Sequence, residues 1–276
     1  MLTTLILLEF MKRVYSICVC SLFRNSENNV DTYFANILRL RRKNVRLSFV
    51  LIEGDSSDNT YGKIESYIKK VPRLILKKID KRTIVYGSVA NPVRLKALSE
   101  LANDAIVTAL SFKPDYILWL ESDILYDYDI LERLIQKNKD LIAPLVLRKG
   151  SDKFYDIWAF RSGNKINENN KRRDRGWLPR GCFTIEYPYH ECFNPDKPFE
   201  VDSCGSVLLI KSKVVIEGAR FSKKESIVGF CKSAKKHGFS VWVDPTTKVY
   251  HPNTKTIKLI TTFIKREIKI RLVDWT

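Results

Sequence analysis

Five short apolar runs constrain what this chain can fold into. They are Val14 to Phe23, Leu47 to Ile52, Leu74 to Ile79, Tyr116 to Leu120 and Leu141 to Leu147. The run Tyr116 to Leu120 (YILWL) shows no polar alternation, so as a strand it must be covered on both faces. Between the runs lie stretches of helical spacing: Tyr33 to Arg42, Tyr61 to Lys70, Val93 to Leu110 and Ile130 to Gln136. Strand and helix patterns that alternate in this way predict an α/β fold with a mostly parallel sheet flanked by helices. In open sheets of that kind, ligands bind beyond the C-terminal ends of the strands. The residues at those ends are therefore the ones that carry chemistry.

The fourth run ends in Glu121-Ser122-Asp123. Alternate side chains of an extended chain share a side, so Glu121 and Asp123 can face one crevice. Two hard oxygen donors there suit Mg²⁺ or Mn²⁺, which in turn bind phosphates. The alternative is that these acids cap the helix starting at Ile130. The second run ends in Glu53-Gly54-Asp55-Ser56-Ser57-Asp58-Asn59-Thr60, rich in acids and hydroxyls. That pattern fits ligand contact, and it equally fits turn and cap chemistry. Arg94 and Lys96 open the long helix, where they can meet phosphate or solvent.

The chain of 276 residues is long enough for one sizeable core, and its 45% hydrophobic content is that of a folded protein. The six cysteines include no C-x-x-C pair, which predicts structural thiols in a reducing, cytoplasmic setting; a Cys182–Cys192 bridge stays open. No run reaches the about 20 apolar residues that span a bilayer. Met1 to Phe10 is apolar but lacks a basic leader, so residues 1–13 read as an extension, with Met11 an alternative start. The net charge of +17 suits a polyphosphate ligand, an anionic membrane or nucleic acid. Nucleic acid is disfavoured because no recognition helix, zinc pattern or aromatic-basic platform is present. A sugar nucleotidyltransferase would need a glycine-rich loop after the first strand, and Arg24 to Val30 contains no glycine.

After residue 150 the pattern changes. Gly150 to Phe199 is polar and aromatic with little periodicity, and reads as a substrate-facing insertion. Phe199 to Ile210 resumes a strand, interrupted at Asp202 to Ser206. Glu225 to His237 is helical and closed by Gly238. Ser240 to Val243 and Val249 to His251 read as two short strands.

The order EGDSSDNT, LWLESD, FYDIWAFR (154–161), VDSCGSVLLIKSKVVIEGARF (201–221) and ESIVGFCKSAKKHGFSVWVDPTTKVYH (225–251) resembles that of GT-A glycosyltransferases. Within them it is similar to the mannan-polymerase and capsule-associated mannosyltransferases, over roughly residues 14–252. The chain departs from that pattern in two places. Glu121 stands at the first position of the D-x-D motif, and Ala102-Asn103 stands where the pattern has Arg-Asn. The resemblance implies a single GT-A-like (Rossmann-like) domain, with a nucleotide-binding half at 14–150 and an acceptor-side half at 151–252. It implies transfer of mannose from GDP-mannose, with retention, to a glycan or glycoprotein acceptor, assisted by Mn²⁺ or Mg²⁺. On that reading the metal is held by Asp123, Glu121 and His251, a late histidine of the kind that completes such shells. Glu53, Asp55, Arg94, Glu121 and Ser122 contact the nucleotide sugar, and Asp202 and Glu225 face the sugar or acceptor. Trp158, Trp177, Tyr187 and Tyr189 stack on sugars or simply pack; His190 and His237 have no partner spacing.

The last stretch, 253–276, carries Ile257, Ile260, Ile264 and Ile268 at helical spacing among Lys258, Lys265, Arg266, Lys269 and Arg271. Two readings stand: a helix packed on the domain, or a peripheral membrane contact.

Overall fold

A computed structural model describes residues 13–40, 43–84, 91–150, 155, 159–161 and 196–252. The N-terminal apolar segment, the helix expected at 253–276, Cys182, Cys192, His190 and the four candidate stacking aromatics lie outside the described residues. One eight-stranded sheet organises the chain, in the order β3-β2-β1-β4-β7-β5-β8-β6. Its strands are β1 Tyr15–Phe23, β2 Val45–Glu53, β3 Leu74–Lys78, β4 Tyr116–Leu120, β5 Leu141–Arg148, β6 Phe199–Val201, β7 Val207–Lys211 and β8 Val241–His251. The pairs β1/β2, β2/β3, β1/β4 and β5/β8 are parallel; β7 runs antiparallel between β4 and β5, and β6 is antiparallel to β8. The sheet is thus mostly parallel, as the alternating pattern predicts.

The helices are α1 Glu27–Leu38, α2 Thr60–Glu65, α3 Pro92–Ala109, α4 Ile130–Gln136, α5 Ser212–Ile216 and α6 Ile227–Lys236. None among the described residues is long and apolar enough to cross a membrane. On one sheet face, Cys18, Cys20, Val50 and Ile52 pack against Ala102, Ala105 and Ala109 of α3 and Phe230 of α6. On the other, Val19, Phe49 and Leu51 pack against Phe34 and Ile37 of α1 and Leu134 of α4. Strand residues alternate between the two cores, so both faces exclude water, and that exclusion drives the fold. Cys18, Cys20, Cys204 and Cys231 are buried free thiols.

The run Phe199 to Ile210 forms two strands, β6 and β7, that are not neighbours in the sheet, and three further elements differ in extent from the sequence reading. Helix α1 starts at Glu27, not Tyr33, because its cap comes from another loop. The Glu27 N–H donates to Asp58 Oδ2 at 3.1 Å, while the Asn59 N–H donates to Glu27 Oε2 at 3.2 Å. The starts of α1 and α2 therefore cap each other. Helix α2 ends at Glu65 and continues only as turns. The C-terminal strand is one element of 11 residues, not two short ones.

That strand contains a bulge. Asp244 pairs with Pro144 and Lys248 with Leu145, so Pro245, Thr246 and Thr247 have no partners in the ladder. Pro245 has no N–H to offer the ladder. Val241 and Val243 face the α3 core, whereas Val249 faces the α1 core. Three extra residues turn the rest of the strand over. Fully buried Asp244 holds the bulge, accepting from the Thr246 N–H at 3.2 Å and from the Thr246 and Thr247 hydroxyls at 2.7 Å each. Lys137 lies 3.6 Å from it. Asp244→Ala is expected to lower unfolding free energy by about 2 kcal/mol in a denaturant titration, since it orphans the buried Thr247 hydroxyl and removes the bonds that hold Thr246 in the bulge. Asp244→Asn, which keeps an acceptor, should lose less.

Candidate active site

The site is built at the C-terminal edge of β4. The Glu121 N–H donates to the Ser206 carbonyl at 2.9 Å, which ties the end of β4 to the lead-in of β7. Ser206 takes a left-handed backbone (φ 60°), so the turn that positions the acid pair is strained for a non-glycine residue. Two residues past Asp123, Leu125 and Tyr250 exchange N–H to carbonyl bonds of 2.8 Å in each direction. This bridge brings the end of β8 beside the acids. His251 Nε2 lies 2.9 Å from Asp123 Oδ2. Burial favours neutral His251, but its bond to Asp123 and the charges of Asp123 and Glu121 outweigh that and raise its pKa. The helix α4 is headed by Asp129, not by the acid pair, so Glu121 and Asp123 are not its cap.

An oxygen and an imidazole nitrogen meeting at one point are a donor set that Mn²⁺ accepts. Asp123 and His251 fit a divalent cation on that ground. Glu121 is near enough for its charge to act on both His251 and Arg94. It does not join the pair in a cluster of three, and no group of three metal-binding side chains converges among the described residues. Two protein donors leave the remaining positions to substrate phosphates and water, an arrangement usual for cations of this class. Ser122 and Asp123 line a shallow open recess with Asn29, Thr32, Tyr33 and Pro252.

Arg94 sits in the first turn of α3. Asn91 caps that helix, accepting from the N–H groups of Val93 and Arg94, and Pro92 pre-sets the first turn. Burial lowers the Arg94 pKa, Glu121 and Tyr155 work against that, and Arg24 adds to the lowering. Arg94 thus lies within reach of both the Glu121 charge and the Arg24 guanidinium. Arg24 itself was not singled out from the sequence; the available signal was a lone cation directly after β1. Its guanidinium donates to Thr83 Oγ1 at 2.9 Å and to the Thr83 carbonyl at 2.6 Å, while its buried Nε has no partner among the described residues.

Glu53 and Asp55 turn out to have different environments. Glu53 is 1% exposed. Its Oε1 accepts from the Ser56 N–H at 3.1 Å, and its buried Oε2 has no partner among the described residues. Asp55 accepts from the N–H groups of Arg82 and Thr83, at 2.9 and 3.0 Å, and from the Thr83 hydroxyl. Burial is the largest single influence and raises its pKa, but these bonds together outweigh it and bring the carboxyl below the ordinary value. Asp55 therefore fixes Thr83, and Thr83 fixes Arg24. Gly54 is required between the acids, because a Cβ there would stand 2.7 Å from the Ile79 carbonyl.

Asp202 and Glu225 lie in a second cluster around α6. Asp202 Oδ1 is 2.9 Å from Lys235 Nζ. Glu225 accepts from Lys232 at 2.6 and 2.8 Å and lies 3.7 Å from the buried Arg161 guanidinium. The helix starts at Ile227, so Glu225 belongs to the turn before it. Asn103, the retained half of the departed Arg-Asn pair, is structural. It donates to the Phe221 carbonyl at 2.9 Å and accepts from the Phe221 N–H at 2.8 Å. Ala102 beside it is buried against the sheet.

The sequence matches the Anp1 family model over residues 10–224. It is 23% identical to the mannan polymerase II complex anp1 subunit of Schizosaccharomyces pombe, over 85% of this chain and 63% of that protein. It is 26% identical to the mannan polymerase complex subunit mnn9 of the same organism, over 59% of this chain and 54% of that protein. The chain thus spans less than two thirds of the length of either relative. Among solved structures, GalNAc-T7 with UDP, GalNAc and Mn²⁺ shares the fold with a TM-score of 0.58 at 13% identity, over 88% of this chain and 44% of that one. The fold is that of the GT-A glycosyltransferases, and the chain belongs to the Anp1 family.

Proposed function

We propose that this chain is a metal-dependent glycosyltransferase that moves a sugar from a nucleotide-sugar donor to a glycan or glycoprotein acceptor. The observation that carries this reading is the Asp123–His251 pair, 2.9 Å apart at the C-terminal strand edge of a GT-A sheet. A divalent cation held there supplies Lewis-acid stabilisation of the charge that develops on a leaving diphosphate. Support for Mn²⁺ comes from that mixed oxygen and nitrogen donor set and from the Mn²⁺ named with GalNAc-T7; Mg²⁺ would rest on the carboxylates alone. The other roles follow from position. Arg94, placed by the Asn91 cap, and Arg24, placed through Asp55 and Thr83, bring positive charge to the phosphates. Glu53 Oε2 accepts a hydrogen bond from the base or ribose. Glu121 and Ser122 line the approach to the sugar, and Asp202 and Glu225 are the acceptor-side acids.

The donor proposed is GDP-mannose, with retention of configuration, supported by the relatives named as mannan polymerase subunits. The test is hydrolysis of a panel of GDP-, UDP- and ADP-sugars by the purified chain with Mn²⁺. GDP-mannose should turn over fastest, and a chelator should abolish turnover. Chelator-insensitive turnover would remove the metal from the reading, and selective use of a UDP-sugar would replace the donor. Thermal stabilisation by Mn²⁺ with GDP should exceed that by a DNA duplex; the reverse would make the basic surface a nucleic-acid site.

A further inference from the structure

Tyr155 has been given no role so far, yet it touches the site directly. Its ring stacks on the His251 imidazole, with centroids 3.7 Å apart and planes 13° from parallel. Its backbone is anchored, since the Tyr155 N–H donates to the Val146 carbonyl at 3.0 Å. Its side chain packs on the core that α1 covers. The His251 backbone is also held, because its carbonyl accepts from the Lys149 N–H at 2.9 Å. What remains free in His251 is rotation of the imidazole about its side-chain bonds. The Tyr155 ring blocks that rotation from one face, and the Asp123 carboxylate fixes the ring tip.

We propose that Tyr155 is a positioning residue that locks the His251 imidazole towards Asp123 and so pre-forms the divalent cation site. This rests on the metal reading above. An imidazole that must first be ordered loses part of its binding energy to conformational entropy, whereas a pre-ordered one does not. Residues that orient a metal ligand typically contribute 10–100-fold to metal affinity. The flat face of the ring is the operative feature, and the hydroxyl is not.

The experiment is a titration of the metal-free chain with Mn²⁺ alone, read by the loss of the free-ion EPR signal. Wild type, Asp123→Ala, Tyr155→Ala and Tyr155→Phe are compared. Tyr155→Ala should weaken Mn²⁺ binding about tenfold, and Tyr155→Phe should stay within about twofold of wild type. The alanine variant should melt lower than the phenylalanine one, because it loses the ring's packing on the core, so Mn²⁺ binding is compared at a temperature where both are folded. If Tyr155→Ala does not fold, Tyr155→Leu, similar in bulk but without a flat face, should show the same weakening. Binding by the alanine or leucine variant that equals wild type would overturn the proposal. So would a phenylalanine variant as weak as the alanine one. If wild type takes up no Mn²⁺, or Asp123→Ala binds it equally well, the metal reading itself fails and this inference with it.

Discussion

Asp123→Ala is expected to lower Mn²⁺-dependent sugar transfer by about a thousandfold or more, some 4 kcal/mol of transition-state stabilisation. The fold should survive the change. Asp123 lies beyond the last residue of β4, and its side chain is 27% exposed, so it supports charge and contributes little packing. Loss of its bond to His251 removes one partly exposed interaction, which typically costs less than about 1 kcal/mol. Steady-state assays with a circular dichroism melt check both halves. Near-normal turnover in a folded Asp123→Ala chain would sink the metal assignment. Glu121→Ala should lose less, because Glu121 stands outside the Asp123–His251 pair. Equal losses from the two changes would instead indicate shared ligation.

Glu53→Gln should separate stability from binding. The Glu53 carboxylate is almost wholly buried, and one of its oxygens has no partner among the described residues. Such a group is costly in the free chain and becomes useful only when a ligand supplies donors. A glutamine keeps the acceptor for the Ser56 N–H and discards the charge. Unfolding free energy is therefore expected to rise by about 1 kcal/mol, while GDP affinity falls roughly thirtyfold, or about 2 kcal/mol. Calorimetric titration with GDP and a denaturant melt measure the two effects. A variant that loses stability and keeps GDP affinity would show that Glu53 serves the turn and not the nucleotide.

The pattern of β1, β2, β4 and β5 was legible because strands covered on both faces leave largely apolar runs; the edge strand β3, half-exposed and ending in two lysines, showed only in its first three residues. The acid pair after β4 was legible because strand ends are where the pattern stops. The start of α1 was not, since the groups that cap it, such as the Asp58 carboxylate, sit in another loop about 30 residues away. Strand order was likewise hidden. The run Val207–Lys211 announces a strand, but nothing local says that it inserts antiparallel between β4 and β5. Glu53 and Asp55 look equivalent in sequence, and only tertiary contacts bury one and commit the other to Thr83. His251 was reached through the resemblance to GT-A enzymes. Counting alternation from Val241 would have put it on the wrong face, because the count fails across the bulge.

The bulge in β8 also bears on how this family can diverge. The segment before it is pinned by Val241 and Val243 in one core, and the segment after it by the pairing of Lys248 to His251 with Leu145 to Arg148. Residues 245–247 belong to neither ladder, so they act as slack between a part that maintains the fold and a part that presents a ligand. A residue gained or lost within either paired segment would shift side chains to the opposite face, whereas one gained or lost in the slack need not. Length differences among relatives along this strand should therefore collect at 245–247, and the distance from the core valines to the histidine should vary there without loss of the site.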